Sequence, residues 1–358
     1  IVVFSLGLKG GRMAEQNDLS KAGLANLFAQ MMMEDTKLHT AEEMSVLLDK
    51  LGASISFGAD IDEIGVTVRC LKKNFLATLD LLQERLLQPK FTQETFERLK
   101  NQQLEEIKNS KTRAVAAANI AFAKVHFGNY NILGYPVVGT QKTVTNIELE
   151  DIKGYYKSYM SRRDMKVVVV GDIEESETKE IVNRLSTLPD NEIRFTALPA
   201  SLTPDSKNIY LVHVPKAAQT EFRVGYITNL KYDALGEYYR CGLMNYPIGG
   251  AFNSRVNLNL REDKGWTYGA RTSFNANDYT GSFLFSSGIK ANVTDSALVE
   301  VMKDLDKYNK EGMTNQELQF MQNAISQSDA RKYETGFQKA GFLVNILQYK
   351  LAPTFVDE

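Results

Sequence analysis

The sequence predicts an α+β protein of two similar domains, each an antiparallel-rich sheet packed with helices, related by an internal repeat. Three observations carry this. Segments of strand-like alternation are interleaved with segments of helical period. A stretch at residues 189–205 holds three prolines, few large apolar residues and no periodicity, so it divides the chain as a linker. Beyond it the pattern restarts. The length of 358 residues allows two or three domains, with enough core to need neither disulfides nor a structural metal. The boundaries that follow are 1–190 for the first domain, 191–206 for the linker and 207–358 for the second.

Residues 1–8 predict a strand and 9–18 a polar loop. Residues 20–33 predict a helix. Residues 42–51 predict another, stopped by Gly52 as a C-cap residue. Residues 53–70 alternate like a strand and break near 58–62. A helix over 74–88 is halted by Pro89. Further helices cover 92–109 and 114–127. Residues 147–159 predict a helix with Thr145 or Asn146 as its cap. The MKVVVVG segment at 165–171 is too short and too β-branched for a helix, so it predicts a buried strand. A helix over 177–186 completes this domain.

In the second half, 222–226 predicts a strand and 236–245 a helix. Residues 267–274 and 281–289 predict two strands, and a helix begins near Thr294. The repeat is clearest at a helix start, where residues 91–96 (FTQETF) resemble residues 313–318 (MTNQEL). Both place Thr at the N-cap, and Thr314 with Glu317 makes a capping box. No equivalent of MKVVVVG follows before Glu358, so the sequence reads as truncated at both ends.

Lys and Arg number 42 and Asp and Glu 44, a net charge of −2 that gives no bulk electrostatic case for nucleic acid or an anionic membrane. The most apolar stretch, 114–123, is ten residues long and includes Asn119, too short to span a bilayer. Neither a nucleic-acid partner nor membrane insertion is expected. Cys70 and Cys241 cannot make a disulfide framework or a thiolate metal site. No nucleophile elbow, Walker loop or dinucleotide fingerprint occurs. Gly249-Gly250 is not followed by Gly-Lys-Ser, so it is no phosphate loop.

The helix at 20–33 has two faces. Leu24, Leu27, Phe28 and Met31 form an apolar one. Asn26, Ala29, Gln30 and Met33 fall opposite. The spacing of Asn26, Ala29 and Gln30 is that of the two His and the Glu of an H-x-x-E-H zinc helix. At this point the chain resembles the pitrilysin/insulinase-type zinc metallopeptidases. That group includes bacterial zinc proteases, the mitochondrial processing peptidase and the core proteins of the respiratory cytochrome bc1 complex.

The resemblance runs along nearly the whole chain. It includes Gly23-Leu24-Ala25, Leu51-Gly52-Ala53, Leu133-Gly134-Tyr135-Pro136 with Gly139-Thr140, and the VVVVGD strand end. In the second half it includes Gly249-Gly250 with Ser254-Arg255, and Leu260-Arg261-Glu262 with Gly265 and Tyr268. Its fold unit, a pair of similar α+β domains, agrees with the repeat.

The resemblance implies that Asn26 and Gln30 stand where histidine ligands would be and Ala29 where the general base would be. Glu106, 76 positions after Gln30, stands at the third ligand. Neutral amides are poor zinc ligands, and without the Glu nothing on the helix can take a proton from a metal-bound water. His39, His126 and His213 lie outside the motif. No catalytic residue and no metal are therefore expected of this chain, and zinc is expected in a catalytic partner lobe.

Arg261 and Tyr268 match the family's substrate-binding Arg and Tyr, seven residues apart. A guanidinium donates to peptide carbonyls, and a phenol to a developing oxyanion. Taken singly, Arg261 could pair with Glu262 or Asp263 and Tyr268 could pack in a sheet. Residues 54–57 align with the strand on which family members lay a peptide, with Ser56-Phe57 in place of the usual Asn-Ala.

The resemblance implies a non-catalytic subunit, or the C-terminal half, of a pitrilysin-type zinc endopeptidase. Such a lobe closes a chamber against a catalytic lobe, in cis or in trans, and handles a peptide substrate. The alternative is a structural or assembly protein like the core subunits of the bc1 complex. A bacterial periplasm or cell envelope is the compartment the family suggests.

Overall fold

The computed structural model describes residues 1–202, 207–329, 333–352 and 354. Residues 203–206 of the expected linker lie outside this set. The described chain forms two units, each with its own antiparallel sheet.

The first sheet is built from β1 (Val2–Lys9), β2 (Ser54–Ala59), β3 (Glu63–Cys70) and β4 (Lys166–Val170), in the order β2-β3-β1-β4. Helices α1 (Leu24–Met31), α2 (Ala41–Leu51), α3 (Phe75–Leu87) and α4 (Gln93–Ser110) come from the same half of the chain. So do the short α6 (Gln141–Thr145), α7 (Leu149–Tyr159) and α8 (Glu175–Leu185), while α5 (Ala114–Phe127) does not join this unit. Phe4, Leu6 and Leu8 of β1 meet Leu27, Phe28 and Met31 of α1 in one core. The apolar face expected of α1 is thus the buried one.

The second sheet has β5 (Gln219–Thr228), β6 (Thr267–Ala276) and β7 (Gly281–Lys290), ordered β5-β7-β6. Between β5 and β6 run α9 (Glu237–Asn245), a π-helical turn (Tyr246–Gly250), the short α10 (Arg255–Asn257) and a second π-helical turn (Leu258–Asp263). After β7 come α11 (Thr294–Glu311) and α12 (Asn315–Asp329), and then α13 (Gly336–Tyr349). Val256, Leu260, Phe285, Ile289 and Val301 form this unit's core.

The repeat is visible in the pairing. β1 bonds β3, which bonds β2; β5 bonds β7, which bonds β6. In each series a helix follows the second hairpin strand, and then comes the Thr-capped helix, α4 or α12. Thr92 Oγ1 accepts from the Thr95 N–H, and Thr314 Oγ1 from the Glu317 N–H.

Four expectations need correction. The segment read as a polar loop at 9–18 contains a 3-10 helix (Gly11–Asn17) with Arg12 and Glu15 buried, because both charges find partners indoors. The helix at 20–33 is interrupted at Gly23, whose φ of 102° is left-handed, so α1 proper starts at Leu24. The helix expected from 147 starts at Leu149 under a box of Glu148 and Asp151. Thr145 is the last residue of α6, and Asn146 closes that helix. Finally, the units are not contiguous in sequence. α5 joins the second unit, where Arg223 Nε donates to Asn119 Oδ1 at 2.7 Å, and α13 joins the first. There Ala340 and Val344 cover Val3 and Val168. This explains why Val3, on the other face of β1 from Phe4, Leu6 and Leu8, is also buried.

Among the described residues no helix is long and apolar enough to cross a membrane.

Candidate functional site

The first candidate surface is the start of α1. Its leading N–H groups need acceptors, and Glu15 supplies them. The Gly23 N–H donates to Glu15 Oε2 at 3.1 Å and the Ala25 N–H to Oε1 at 2.6 Å. Burial raises the Glu15 carboxyl to about 7, although both N–H groups and the charge of Arg12 oppose the rise. Arg12 in turn donates Nη2 to the carbonyls of Ile132 and Tyr135, at 2.8 and 2.6 Å.

A second buried polar residue ties α1 to α4. Phe96, Leu99, Gln103 and Ile107 share the buried face of α4 at helical spacing. Gln103 is 1% exposed and makes three hydrogen bonds. It accepts from Asn26 Nδ2 at 3.0 Å and donates Nε2 to the carbonyls of Gly23 and Val138, at 3.1 and 2.9 Å.

Asn26 and Gln30 are partly exposed on α1, and Ala29 is buried between them in the core cluster. Glu106 lies one turn beyond Gln103, exposed, with no hydrogen bond or ion pair among the described residues. The structure therefore brings Asn26 to α4 at Gln103.

These residues do not fit a zinc ion. They offer two neutral amides and a methyl group, and one amide is engaged with Gln103. Among the described residues no group of three His, Cys, Asp or Glu could hold a metal. His39 Nδ1 lies 3.0 Å from both carboxylate oxygens of Glu84. His126 is buried against Phe122, and burial pushes its ring toward the neutral form. His213 is exposed.

The second candidate surface is in the other unit, where both residues sit at irregularities. Arg261 is on the π-helical turn, and Tyr268 is the second residue of β6, inside a break of register between Thr267 and Ala270. Thr267 Oγ1 lies within hydrogen-bond distance of the Gly288 carbonyl, at 2.8 Å, and of the Gly269 carbonyl, at 3.0 Å, with one proton to share between them. Tyr268 is left 93% exposed, so it does not pack in the sheet. Arg261 does meet Glu262: Nη1 lies 2.9 Å from Oε1, at ion-pair distance without hydrogen-bond geometry. Its guanidinium also stacks 4.5 Å from the centre of the Phe252 ring.

The flanking motif residues are structural. A Cβ on Gly249 would stand 2.1 Å from Thr272 Oγ1, so only glycine fits there. Arg255 makes paired bonds to Glu317, Nε at 2.6 Å and Nη2 at 2.7 Å, joining α10 to the start of α12.

Sequence reasoning missed Glu15, Gln103 and Phe252. Gln103 had a signal, a polar residue in an apolar stripe. Glu15 had none, because its partners lie beyond any periodic pattern.

Comparison with known proteins completes this picture. A family model for the insulinase family, peptidase family M16, matches residues 2–141. A model described as the peptidase M16 inactive domain matches residues 146–325. The chain is 26% identical over 331 residues to a Helicobacter pylori protein called non-peptidase homolog YmxG, covering 91% of this chain and 74% of that one. It is 21% identical over 299 residues to a Bacillus subtilis protein called uncharacterized zinc protease YmxG, covering 83% and 71%.

Two solved structures share the fold. A peptidase M16 inactive domain from Pseudomonas fluorescens has a TM-score of 0.87 at 21% identity, covering 99% of this chain and 84% of that one. The periplasmic protease PqqL from Escherichia coli has a TM-score of 0.78 at 14% identity, covering 98% of this chain and 38% of that one. With family models matching both halves of its sequence, the chain belongs to the insulinase family of peptidases, family M16.

Proposed function

We propose that this chain is the non-catalytic lobe of an M16 zinc endopeptidase, a separate subunit or one half of a longer polypeptide. It offers Arg261 and Tyr268 to the backbone of a peptide held by a zinc-bearing partner lobe, and it closes the chamber around that peptide. The observation that carries this reading is Tyr268, a 93% exposed phenol. Leaving so large a ring in water gains nothing for the fold. Placed near a substrate, its hydroxyl is a donor of the type that stabilises a developing oxyanion. Arg261 adds a planar fork of donors for carbonyl oxygens.

α1 supports the non-catalytic half of the proposal. Ala29 carries no proton acceptor, so peptide hydrolysis needs a base from elsewhere. The test is the assembled enzyme with Tyr268→Phe or Arg261→Ala in this chain. An oxyanion donor is worth about 3–4 kcal/mol in well-studied sites, and one reaching from a second lobe is worth less. Turnover should therefore fall by roughly tenfold to a hundredfold, with the melting temperature of this chain unchanged. Indifference of the assembled enzyme, or early unfolding of both variants, would move the chain to the assembly-protein reading.

A further inference from the structure

One exposed aromatic side chain next to these donors is not accounted for by them. Phe252 follows the π-helical turn that carries Gly249 and is 62% exposed, with the Arg261 guanidinium over its ring at 4.5 Å. Asn257, 4% exposed, fixes the backbone on which it sits. Its Nδ2 donates to the Phe252 carbonyl at 2.7 Å, and its Oδ1 accepts from the Ala270 N–H at 2.9 Å. Ala270 is the first residue past the break in β6 that holds Tyr268. A single buried amide thus links the backbone of Phe252 to the strand of Tyr268.

The stack limits what Arg261 can bind. A guanidinium covered on one face by an aromatic ring offers its in-plane N–H edge to a carbonyl. The guanidinium carbon lies over the ring, 4.5 Å from its centre, so a carbonyl accepted at the open edge brings its residue close to Phe252. An extended peptide sends successive side chains to opposite sides. One neighbouring side chain therefore turns toward the exposed part of the ring. A large apolar or aromatic side chain would bury it and gain a ring contact. A carboxylate gains no ring contact there and would be drawn to the Arg261 guanidinium instead.

We infer that Phe252 is the specificity-determining residue of this surface, selecting a large apolar or aromatic side chain in an extended peptide bound by Arg261 and Tyr268. The inference rests on the reading of those two residues as backbone donors.

The test uses the full chain and fluorescein-labelled, unstructured Gly/Ser/Gln peptides with one central Phe, Ala or Asp, read by fluorescence anisotropy. The parent should bind the Phe peptide roughly threefold to tenfold more tightly than the Ala peptide, the size of one aromatic contact. The Asp peptide should bind less tightly than the Phe peptide. Phe252→Ala should abolish the preference, and Phe252→Leu should keep part of it. Arg261→Ala should weaken all three.

Binding that responds to Arg261→Ala but keeps its Phe preference in Phe252→Ala overturns this inference alone. Equal weakening of the Phe and Ala peptides by Phe252→Ala also overturns it, since the ring would then only position Arg261. Absence of binding by the parent, or binding indifferent to Arg261→Ala and Tyr268→Phe, overturns it together with the reading beneath it.

Discussion

Glu15 shows how much one buried side chain can decide. Its carboxyl is raised from an ordinary value of 4.5 to about 7, so the folded chain holds a proton that the unfolded chain gives up. Stability from this group is fully present below pH 4.5 and is lost as pH rises through about 7. The difference corresponds to about 3 kcal/mol across that window. Glu317 acts with the opposite sign and lower down: bonded to Arg255, it is lowered to about 2, and its contribution is lost only as pH falls below 4.5. Amide exchange of α1 should therefore slow between pH 8 and pH 5, after correction for intrinsic rates. Glu15→Gln should remove that pH dependence. An unchanged profile in the variant would mean that another group carries it.

Gln103 gives a second prediction of the same kind. Gln103→Leu leaves the Val138 carbonyl and the Asn26 amide without this partner, while the Gly23 carbonyl keeps the Leu27 N–H. Each buried loss costs about 1–3 kcal/mol, so the first unit should melt at least ~5 °C earlier. Calorimetry would show it. Neither residue was legible as functional in the sequence, because their bonds join segments far apart in the chain. Leu27, Phe28 and Met31 were legible, because helical period alone puts them on one face.

At the scale of the element, α1 packs as a core helix at the position the sequence marks for a metal site. Ala29 is 2% exposed and belongs to the core cluster, whereas Asn26 and Gln30 are partly open. Ala29→Glu alone should lower stability by several kcal/mol, since a carboxylate is brought in without a partner. The triple variant Asn26→His, Ala29→Glu, Gln30→His should recover part of this loss on adding zinc. Adding Glu106→Ala should weaken its zinc affinity if Glu106 is the third ligand. Equal affinity, measured by competition with a chelator, would remove Glu106 from the site.

The helix starts teach a related lesson. The Thr314–Glu317 box was readable because residue type and spacing specify it. The Glu148–Asp151 box was not, because Glu is an uncommon N-cap and Thr145 and Asn146 nearby are better ones. The break in β6 was invisible for the same reason: it depends on Thr267 reaching across to β7.

At the scale of the molecule, the repeat predicted two similar α+β domains, but a linker in the sequence suggested that each domain is one continuous stretch. Helix membership contradicts this. α13 follows the second sheet in the chain, yet it covers β1 and β4 through Ala340 and Val344. Lys166 of β4 also donates to Gln348 of α13. Sequence order gave no hint, since an amphipathic helix does not announce which sheet it will cover. A consequence separates the two arrangements. Ala340 is 2% exposed, and Ala340→Asp puts a carboxylate against Val3 and Val168. With no donor there to meet it, the charge should cost several kcal/mol. The cost should fall on the unit that α13 covers. Hydrogen exchange read by mass spectrometry should show β1 and β4 losing protection while β5, β6 and β7 keep theirs. Loss of protection in β5 to β7 with β1 intact would place α13 with the second sheet. The domains would then follow the chain in the continuous order that the linker suggests.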